Sequence, residues 1–255
     1  MIGATISAQP NYNFPPVNLG YAPTQFRARV VSVLLVISAL LSFASIFTEA
    51  SGFVWPGGLL GDDSPHDALK LVLALLTIGF GLIQFVVFVA TVVFFLVWLY
   101  RAHENLMAFG VKGNSLEYSS GWAVGSFFVP FVSLVVPYRA IKELWTKSVP
   151  NSASLFSQLS PPGFFPLWWG MWLLSNFVDQ LYFRLTWQDK ISRASGALLG
   201  VIGGVLGVVA AVLAIMVVRE IERQQTETSR QIPVASPHAQ LPDPPLFDSP
   251  STDAR

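Results

Sequence analysis

The chain has 255 residues, of which 53% are hydrophobic and only 12% are charged, and its formal net charge is zero. Soluble domains carry about 25% charged residues, so this composition excludes an ordinary soluble domain, and the neutral charge implies no polyanion-binding surface. The chain has no cysteine, which excludes disulfides, thiolate metal sites and cysteine nucleophiles. The composition predicts an all-α integral membrane protein.

Both ends of the chain predict disordered tails. Residues 1–26 are polar and rich in Pro and Asn, without the cationic and then apolar order of a signal peptide. Residues 231–255 are rich in Pro and favour disorder or a polyproline II conformation. A helical membrane domain is therefore expected at residues 27–230.

Four largely apolar runs are close to or above the length of about 20 residues that a helix needs to cross a bilayer. They predict spans at about residues 28–48, 70–100, 164–184 and 194–218. After the last span, residues 219–230 predict a helical extension with a solvated, charged face.

The loop before the second span is acidic. Its side chains could in principle hold a cation, but nothing in their spacing fixes a ligand geometry, so a solvated loop is favoured and no metal or cofactor is expected. The residues concerned are Asp62, Asp63, His66 and Asp67.

Three polar or aromatic residues mark the end of the second span. Trp98, Arg101 and Asn105 are spaced i, i+3 and i+7, which predicts a shared helical face. The favoured interpretation is an interfacial anchor with a helix-end network that includes Glu104. A binding site for a ligand or a lipid headgroup is the alternative.

The next apolar stretch is interrupted by prolines. Residues 121–129 would reach only about 13 Å as a helix, which is half the hydrocarbon core, before Pro130 breaks it. Pro137 follows after six more apolar residues. This pattern predicts a re-entrant element at about residues 121–138 and an amphipathic interfacial helix at about residues 138–147.

The third span contains polar residues. Asn176, Asp179 and Gln180 lie on one face, and Gln84 lies near the centre of the second span. An acid within a span suggests function, but Arg184 is close enough in sequence to neutralise Asp179, so structural pairing is favoured over transport.

In the last span, small residues at a four-residue spacing allow close helix approach, within the chain or in a homo-oligomer. These residues are Gly196, Gly200 and Gly204, with Gly203 and Gly207 repeating alongside them.

The distribution of cations favours the re-entrant arrangement. If residues 121–138 return to the cytoplasm, eleven of the 15 Lys and Arg residues lie inside and four lie outside. If they cross fully, seven lie inside and eight outside, and no bias remains. The first arrangement gives four spans and places both termini in the cytoplasm.

The order of several short motifs resembles a known family. Trp98-x-x-Arg101-x-x-x-Asn105 is followed by Gly121-Trp122-Ala123-Val124, Phe128-Val129-Pro130, Pro137-Tyr138, Glu143-Leu144-Trp145 and the later Trp168-Trp169, Trp172 and Ser175-Asn176. In this order they resemble the bacterial membrane family called domain of unknown function 4328, over roughly residues 70–225. The resemblance implies a multi-pass protein of the bacterial plasma membrane and no established activity or catalytic residue.

The sequence favours a non-enzymatic scaffold, sensor or assembly factor whose partners are the lipid bilayer and other proteins. The alternative is a small transporter or channel that uses the break at Pro130 with Asp179, Asn176 and Gln84. An enzyme is disfavoured, because the three histidines lie in separate segments and no nucleophile–base spacing stands out. The candidate polar or ligand site comprises Trp98, Arg101, Asn105, Pro130, Pro137, Arg139, Glu143, Asn176 and Asp179.

Overall fold

A computed structural model describes residues 20–54, 67–148, 161–188 and 190–231. These residues are helical or lie in turns, and they contain no strand. Most of both predicted tails and the loop at residues 149–160 lie outside the described residues. So does the acidic loop that carries Asp62, Asp63 and His66.

The described residues form six α-helices joined by turns and short 3₁₀ helices. They are α1 (Gln25–Val54), α2 (Asp67–Ala108), α3 (Ser120–Gly125), α4 (Val136–Lys147), α5 (Phe164–Trp187) and α6 (Arg193–Gln231). The 3₁₀ helices are Gly113–Ser115, Ser126–Phe128 and Val132–Leu134.

Three of these helices are long and apolar enough to cross a membrane, over Gln25–Ala50, Ala68–Ala108 and Ala194–Arg230. Helix α5 has 24 residues but is not among them. The polar residues Asn176, Asp179 and Gln180 interrupt its apolar run and lower its mean hydropathy. The described helices therefore indicate a membrane protein. Three of them are long and apolar enough to cross a membrane, whereas the sequence predicts four spans.

The three long helices extend beyond the predicted spans. Helix α2 has 42 residues, which corresponds to about 63 Å, so it is longer than the core of about 30 Å at any ordinary tilt.

Residues 20–24, which the sequence predicts to be part of a disordered tail, are also described and make contacts. Thr24 is fully buried, and its hydroxyl donates to Glu222 Oε2 at 2.8 Å.

Helix α6 lies between α1 and α5, and both neighbours run antiparallel to it. Its glycines permit the close approach that their spacing predicts. A Cβ added at Gly204 would lie 2.7 Å from Ile46 Cγ1 of α1, and one added at Gly200 would lie 2.8 Å from Glu49 Cδ. Gly196 faces Tyr182 of α5. These glycines are covered within one chain, so a homo-oligomer through them would require α1 or α5 to move.

Residues 117–147 form a hairpin, and that name is used for them below. Helix α3 is capped by Ser119, whose hydroxyl accepts from the Trp122 N–H at 3.2 Å. The chain then breaks at Pro130, as the sequence predicts, and Phe131 follows with a φ of 62°. A positive φ is costly for a bulky residue and marks a forced turn. Its ring is 86% exposed at the tip of the hairpin.

Helix α4 forms the returning arm of the hairpin and is amphipathic, as predicted. Ile141 and Leu144 are fully buried, and Trp145 packs edge-on against Phe165 of α5 with ring centroids 6.0 Å apart. Lys142, on the opposite face, is exposed. Helix α4 therefore lies against the other helices by its apolar face and presents Arg139 and Lys142 outward.

Candidate functional site

A buried polar network lies where α1 begins and where α2 and α6 end. Its centre is Asn105 of α2, which is 3% exposed. The Asn105 amide accepts from the Ala22 N–H at 3.2 Å and donates to the Ala22 carbonyl at 3.1 Å. It also donates to Gln225 Oε1 of α6 at 3.2 Å. One amide side chain thus joins the segment before α1 to the ends of α2 and α6.

Gln225 extends the network to α4. Its amide nitrogen donates to the Ala102 carbonyl at 2.8 Å and to Ser148 Oγ at 3.3 Å, at the end of α4. The Thr228 hydroxyl donates to the Ser148 carbonyl. Gln225 and Ser148 are fully buried, and buried polar groups of this kind contribute only when they are paired. We call Ala22, Asn105, Ser148, Gln225 and Thr228 the end network.

The end network occupies one face of a helix segment that was predicted to be solvated. Ile221, Gln225 and Thr228 are spaced i, i+4 and i+7, and all three are buried. The opposite face is solvated as predicted, since Arg223 forms exposed ion pairs with Glu220 and Glu227 at 2.7 and 3.0 Å. The sequence signal for the buried face is the helical spacing of Ile221 with the uncharged polar residues Gln225 and Thr228.

A second polar cluster closes the base of the hairpin. Glu143 of α4 is 9% exposed, and its carboxylate accepts from the backbone N–H groups of Glu117 and Tyr118 at 2.7 and 3.1 Å. Lys147 forms an ion pair with Glu143 and donates to the Ser115 carbonyl. The segment before α3 is thus bound to α4, so the hairpin begins and ends at the same level.

Two further groups border this cluster. The pKa of the Tyr118 hydroxyl is raised, first by burial and then by its hydrogen bond to Glu117 Oε1 at 2.7 Å. His103 of α2 is fully buried and lies near Glu143 and Lys147 of α4. Its ring is also close to the backbone of Ala140, but neither ring nitrogen forms a hydrogen bond of normal geometry within the described residues. The carboxylate oxygens of Glu143 are already engaged, which leaves this cluster little capacity to hold a metal ion.

The predicted shared face at the end of α2 is only partly correct. Trp98 and Asn105 are buried, and Trp98 packs against Phe95 with ring centroids 5.6 Å apart. Arg101 is exposed instead and pairs with Glu104 at 2.7 Å, within the helix-end network that the sequence predicts. Positions i and i+7 align within about 20° on a helix, whereas i+3 is displaced by about 60°, and that displacement turns Arg101 to the surface.

The prolines and cations of the hairpin occupy different places. Pro130 is exposed at the tip, while Pro137 is buried near the start of α4. Arg139 is exposed and close to the Tyr118 hydroxyl. Of the predicted hairpin residues, Glu143 alone belongs to a buried polar cluster.

Asn176 and Asp179 lie on α5, away from the end network. Asn176 is exposed and donates to the Trp172 carbonyl of its own helix at 2.7 Å. Asp179 lies against α6, where a Cβ added at Gly203 would be 2.6 Å from its Oδ1. Within the described residues it forms no ion pair with Arg184, so the predicted neutralisation is not observed. The candidate residues are therefore spread over the end of α2, the hairpin and α5, and they do not form one site.

Comparison with known proteins gives one match. A family model described as Domain of unknown function (DUF4328) matches residues 67–223, which is more than half of the chain. The match begins at the start of α2 and ends within α6, so it includes the hairpin and leaves α1 outside. No curated protein and no solved structure matches the chain.

Proposed function

The chain belongs to the DUF4328 family, and we propose that it is a multi-pass protein of the bacterial plasma membrane. We propose that it acts as a non-enzymatic scaffold, sensor or assembly factor through interactions with other proteins. The observation that carries this proposal is the end network. Its buried side chains join the segment before α1 to the ends of α2, α4 and α6. Such a network holds the surface formed by these helix ends in one fixed arrangement.

The proposed topology has four spans, α1, α2, α5 and α6, and a re-entrant hairpin. Antiparallel packing supports α5 as the fourth span, since Ser175, Asp179 and Tyr182 face Gly207, Gly203 and Gly196 of α6 over about two turns. The contacts of Glu143 support a hairpin that returns to its starting side. The exposed Phe131 ring at the tip suits the bilayer interior.

The orientation follows from the cations and from the end network. Arg139 and Lys142 are exposed on α4, the helix that ends at Ser148 of this network, and exposed cations suit the cytoplasmic side by the positive-inside rule. The segment before α1 and the end of α6 meet at the same network, so both chain ends leave from one side. The Pro-rich residues 231–255 then continue from a fixed surface, an arrangement that suits binding of a protein partner.

Photo-crosslinking in cells tests the scaffold proposal. A photoreactive amino acid replaces Lys142, which is exposed on α4. In a matched control it replaces Lys190, which is exposed beyond the far end of α5. We expect a discrete protein adduct from position 142 and none from position 190. The Gln225→Ala variant should lose that adduct while retaining expression. Equal adducts at both positions, or none at position 142, would argue against a cytoplasmic docking surface.

Transport remains the second proposed function, because two carboxylates lie against glycines of α6. Glu49 lies at Gly200, and Asp179 lies at Gly203. The rings of Phe95 on α2 and Trp168 on α5 lie 6.3 Å apart and fix the relative position of these two helices. Gln84 lies eleven residues before Phe95, and Asp179 lies eleven residues after Trp168. Gln84 and Asp179 are therefore at a similar depth, each about 16 Å along its helix from the ring contact.

Flux measurements in proteoliposomes test the transport alternative. Transport predicts proton or cation flux above that of empty vesicles, with a large loss in the Asp179→Asn variant. Glu227→Gln serves as the control, since it removes a half-exposed carboxylate that pairs with Arg223 and lies outside the residues proposed for transport. If the parent protein gives no flux for protons and common cations, transport is rejected and the scaffold proposal is unaffected.

A further inference from the structure

A groove of about 550 Å³ lies between the beginning of α1 and the end of α6. The two helices run antiparallel, as shown by three contacts along them. The Gln25 amide donates to Thr226 Oγ1 at 3.3 Å, Ser42 lies at Gly207, and Glu49 lies at Gly200. This register places Arg29 of α1 and Arg219 of α6 at nearly the same height, and both line the groove.

The height of these two arginines coincides with the expected membrane boundary. Arg29 directly precedes residues 30–48, which carry no charged residue, and Arg219 directly follows residues 194–218, which also carry none. A run of about 20 apolar residues spans the hydrocarbon core. If α1 and α6 cross the bilayer, both guanidinium groups lie at the level of the lipid headgroups.

The charges that line the groove leave an excess of cations. Four arginines and two glutamates line it. One arginine, Arg223, is committed to Glu220 and Glu227, and the Glu222 carboxylate accepts from Thr24. The remaining arginines form no ion pair among the residues that the structure describes; these are Arg29, Arg219 and Arg230. Guanidinium groups bind phosphate through paired, charge-assisted hydrogen bonds.

The membrane side of the groove is apolar and continuous with a lipid-facing surface. Val33 lines this side and is 57% exposed. On α6, Val209, Val212 and Met216 are exposed, and their spacing of i, i+3 and i+7 leads directly to Arg219 on the same face. The groove thus combines an apolar wall at membrane depth with cations at headgroup depth.

We propose that this groove binds one anionic phospholipid, with its phosphate between Arg29 and Arg219 and an acyl chain along Val33 and Met216. The inference depends on α1 and α6 spanning the bilayer, and it does not depend on the hairpin or on a scaffold function. Arg29 lies outside the residues matched by the family model, whereas Arg219 lies within them.

Native mass spectrometry of the full chain tests this inference. The probes are phosphatidylglycerol and phosphatidylcholine with identical acyl chains, and glycerol 3-phosphate without acyl chains. The test variant is R29Q/R219Q. The control variant is R184Q/K190Q, which also removes two exposed cations but at the opposite end of the helices.

The parent protein should retain one phosphatidylglycerol in clear preference to phosphatidylcholine. R29Q/R219Q should lower its affinity by at least about tenfold, since two charge-assisted contacts are lost, and the control should match the parent. The single variants R29Q and R219Q should each lower it by at least about threefold, which keeps the test valid if the double variant misfolds.

Three results would overturn the proposal. Equal retention of the two lipids would remove the preference for an anionic headgroup. Equal losses in the test and control variants would show general electrostatic attraction. Binding of glycerol 3-phosphate at the same concentrations as the lipid would identify a site for a soluble phosphate.

Discussion

Removal of the Glu143 carboxylate should release the base of the hairpin. Glu143 is 9% exposed and accepts two backbone N–H groups, at 2.7 and 3.1 Å, in addition to its ion pair with Lys147. In the Glu143→Ala variant, both N–H groups lose their acceptor and Lys147, whose side chain is 18% exposed, loses its counter-ion. Among the described residues, the N–H groups of Glu117 and Tyr118 form no other hydrogen bond to α4.

The magnitude follows from these contacts. A hydrogen bond to a charged group contributes about 1.5–3 kcal/mol, and breaking one partner of a buried ion pair costs about 3–5 kcal/mol. The retained bond from Lys147 to Ser115 offsets part of the loss, so we expect about 3 kcal/mol for opening of the hairpin base. At about 1.4 kcal/mol per tenfold change, this raises the opening equilibrium constant roughly 100-fold.

Hydrogen exchange of peptides that cover residues 114–122, in nanodiscs, measures this opening. Glu143→Ala should accelerate exchange of the two amides roughly 100-fold, and Glu143→Gln, which keeps one carbonyl acceptor, should give an intermediate rate. The control is Glu104→Gln, which removes an exposed ion pair with Arg101 that contributes about 0.5 kcal/mol or less. Exchange in Glu143→Ala that equals exchange in this control would refute the role of Glu143.

Three further substitutions test helix packing and the end network. Gly204→Ala should destabilise the protein by about 1–3 kcal/mol, because the new Cβ would lie 2.7 Å from Ile46 Cγ1. Its control, Gly81→Ala, has nothing within 4 Å and should be neutral or slightly stabilising. Thermal unfolding in detergent compares the two, and equal melting temperatures would contradict the packing. Asn105→Ala and Gln225→Ala should each cost about 1–3 kcal/mol, with a coupling energy of about 0.5–3 kcal/mol in a double-mutant cycle. Additive losses would show that the two amides act independently.

Features that depend on local order could be predicted from the sequence. The family match, the break at Pro130 and the amphipathic α4 are confirmed. The Arg101–Glu104 pair and the close approach at Gly204 are confirmed as well. Apart from the family match, which rests on the order of several motifs, each of these follows from spacing along one helix or from the chemistry of a single residue.

The end network could not be predicted, because its burial depends on neighbours distant in sequence. Gln225 and Thr228 occur in a strongly charged segment, and only the arrival of Ser148 and Asn105 removes them from solvent. The surroundings of Asp179 could not be predicted either. Arg184 is near Asp179 in sequence, but the Asp179 carboxylate packs against Gly203 of α6.

Single-cysteine labelling tests the central claim, which is that the hairpin returns to the side from which it starts. The chain has no cysteine, so Lys112→Cys, Lys142→Cys and Lys190→Cys each provide one thiol at an exposed position. In spheroplasts treated with a membrane-impermeant maleimide, only Lys190→Cys should react. Lys112→Cys and Lys142→Cys should both react only after permeabilisation. External labelling of Lys142→Cys, with Lys112→Cys and Lys190→Cys protected, would show that residues 121–138 cross the membrane and would contradict the account.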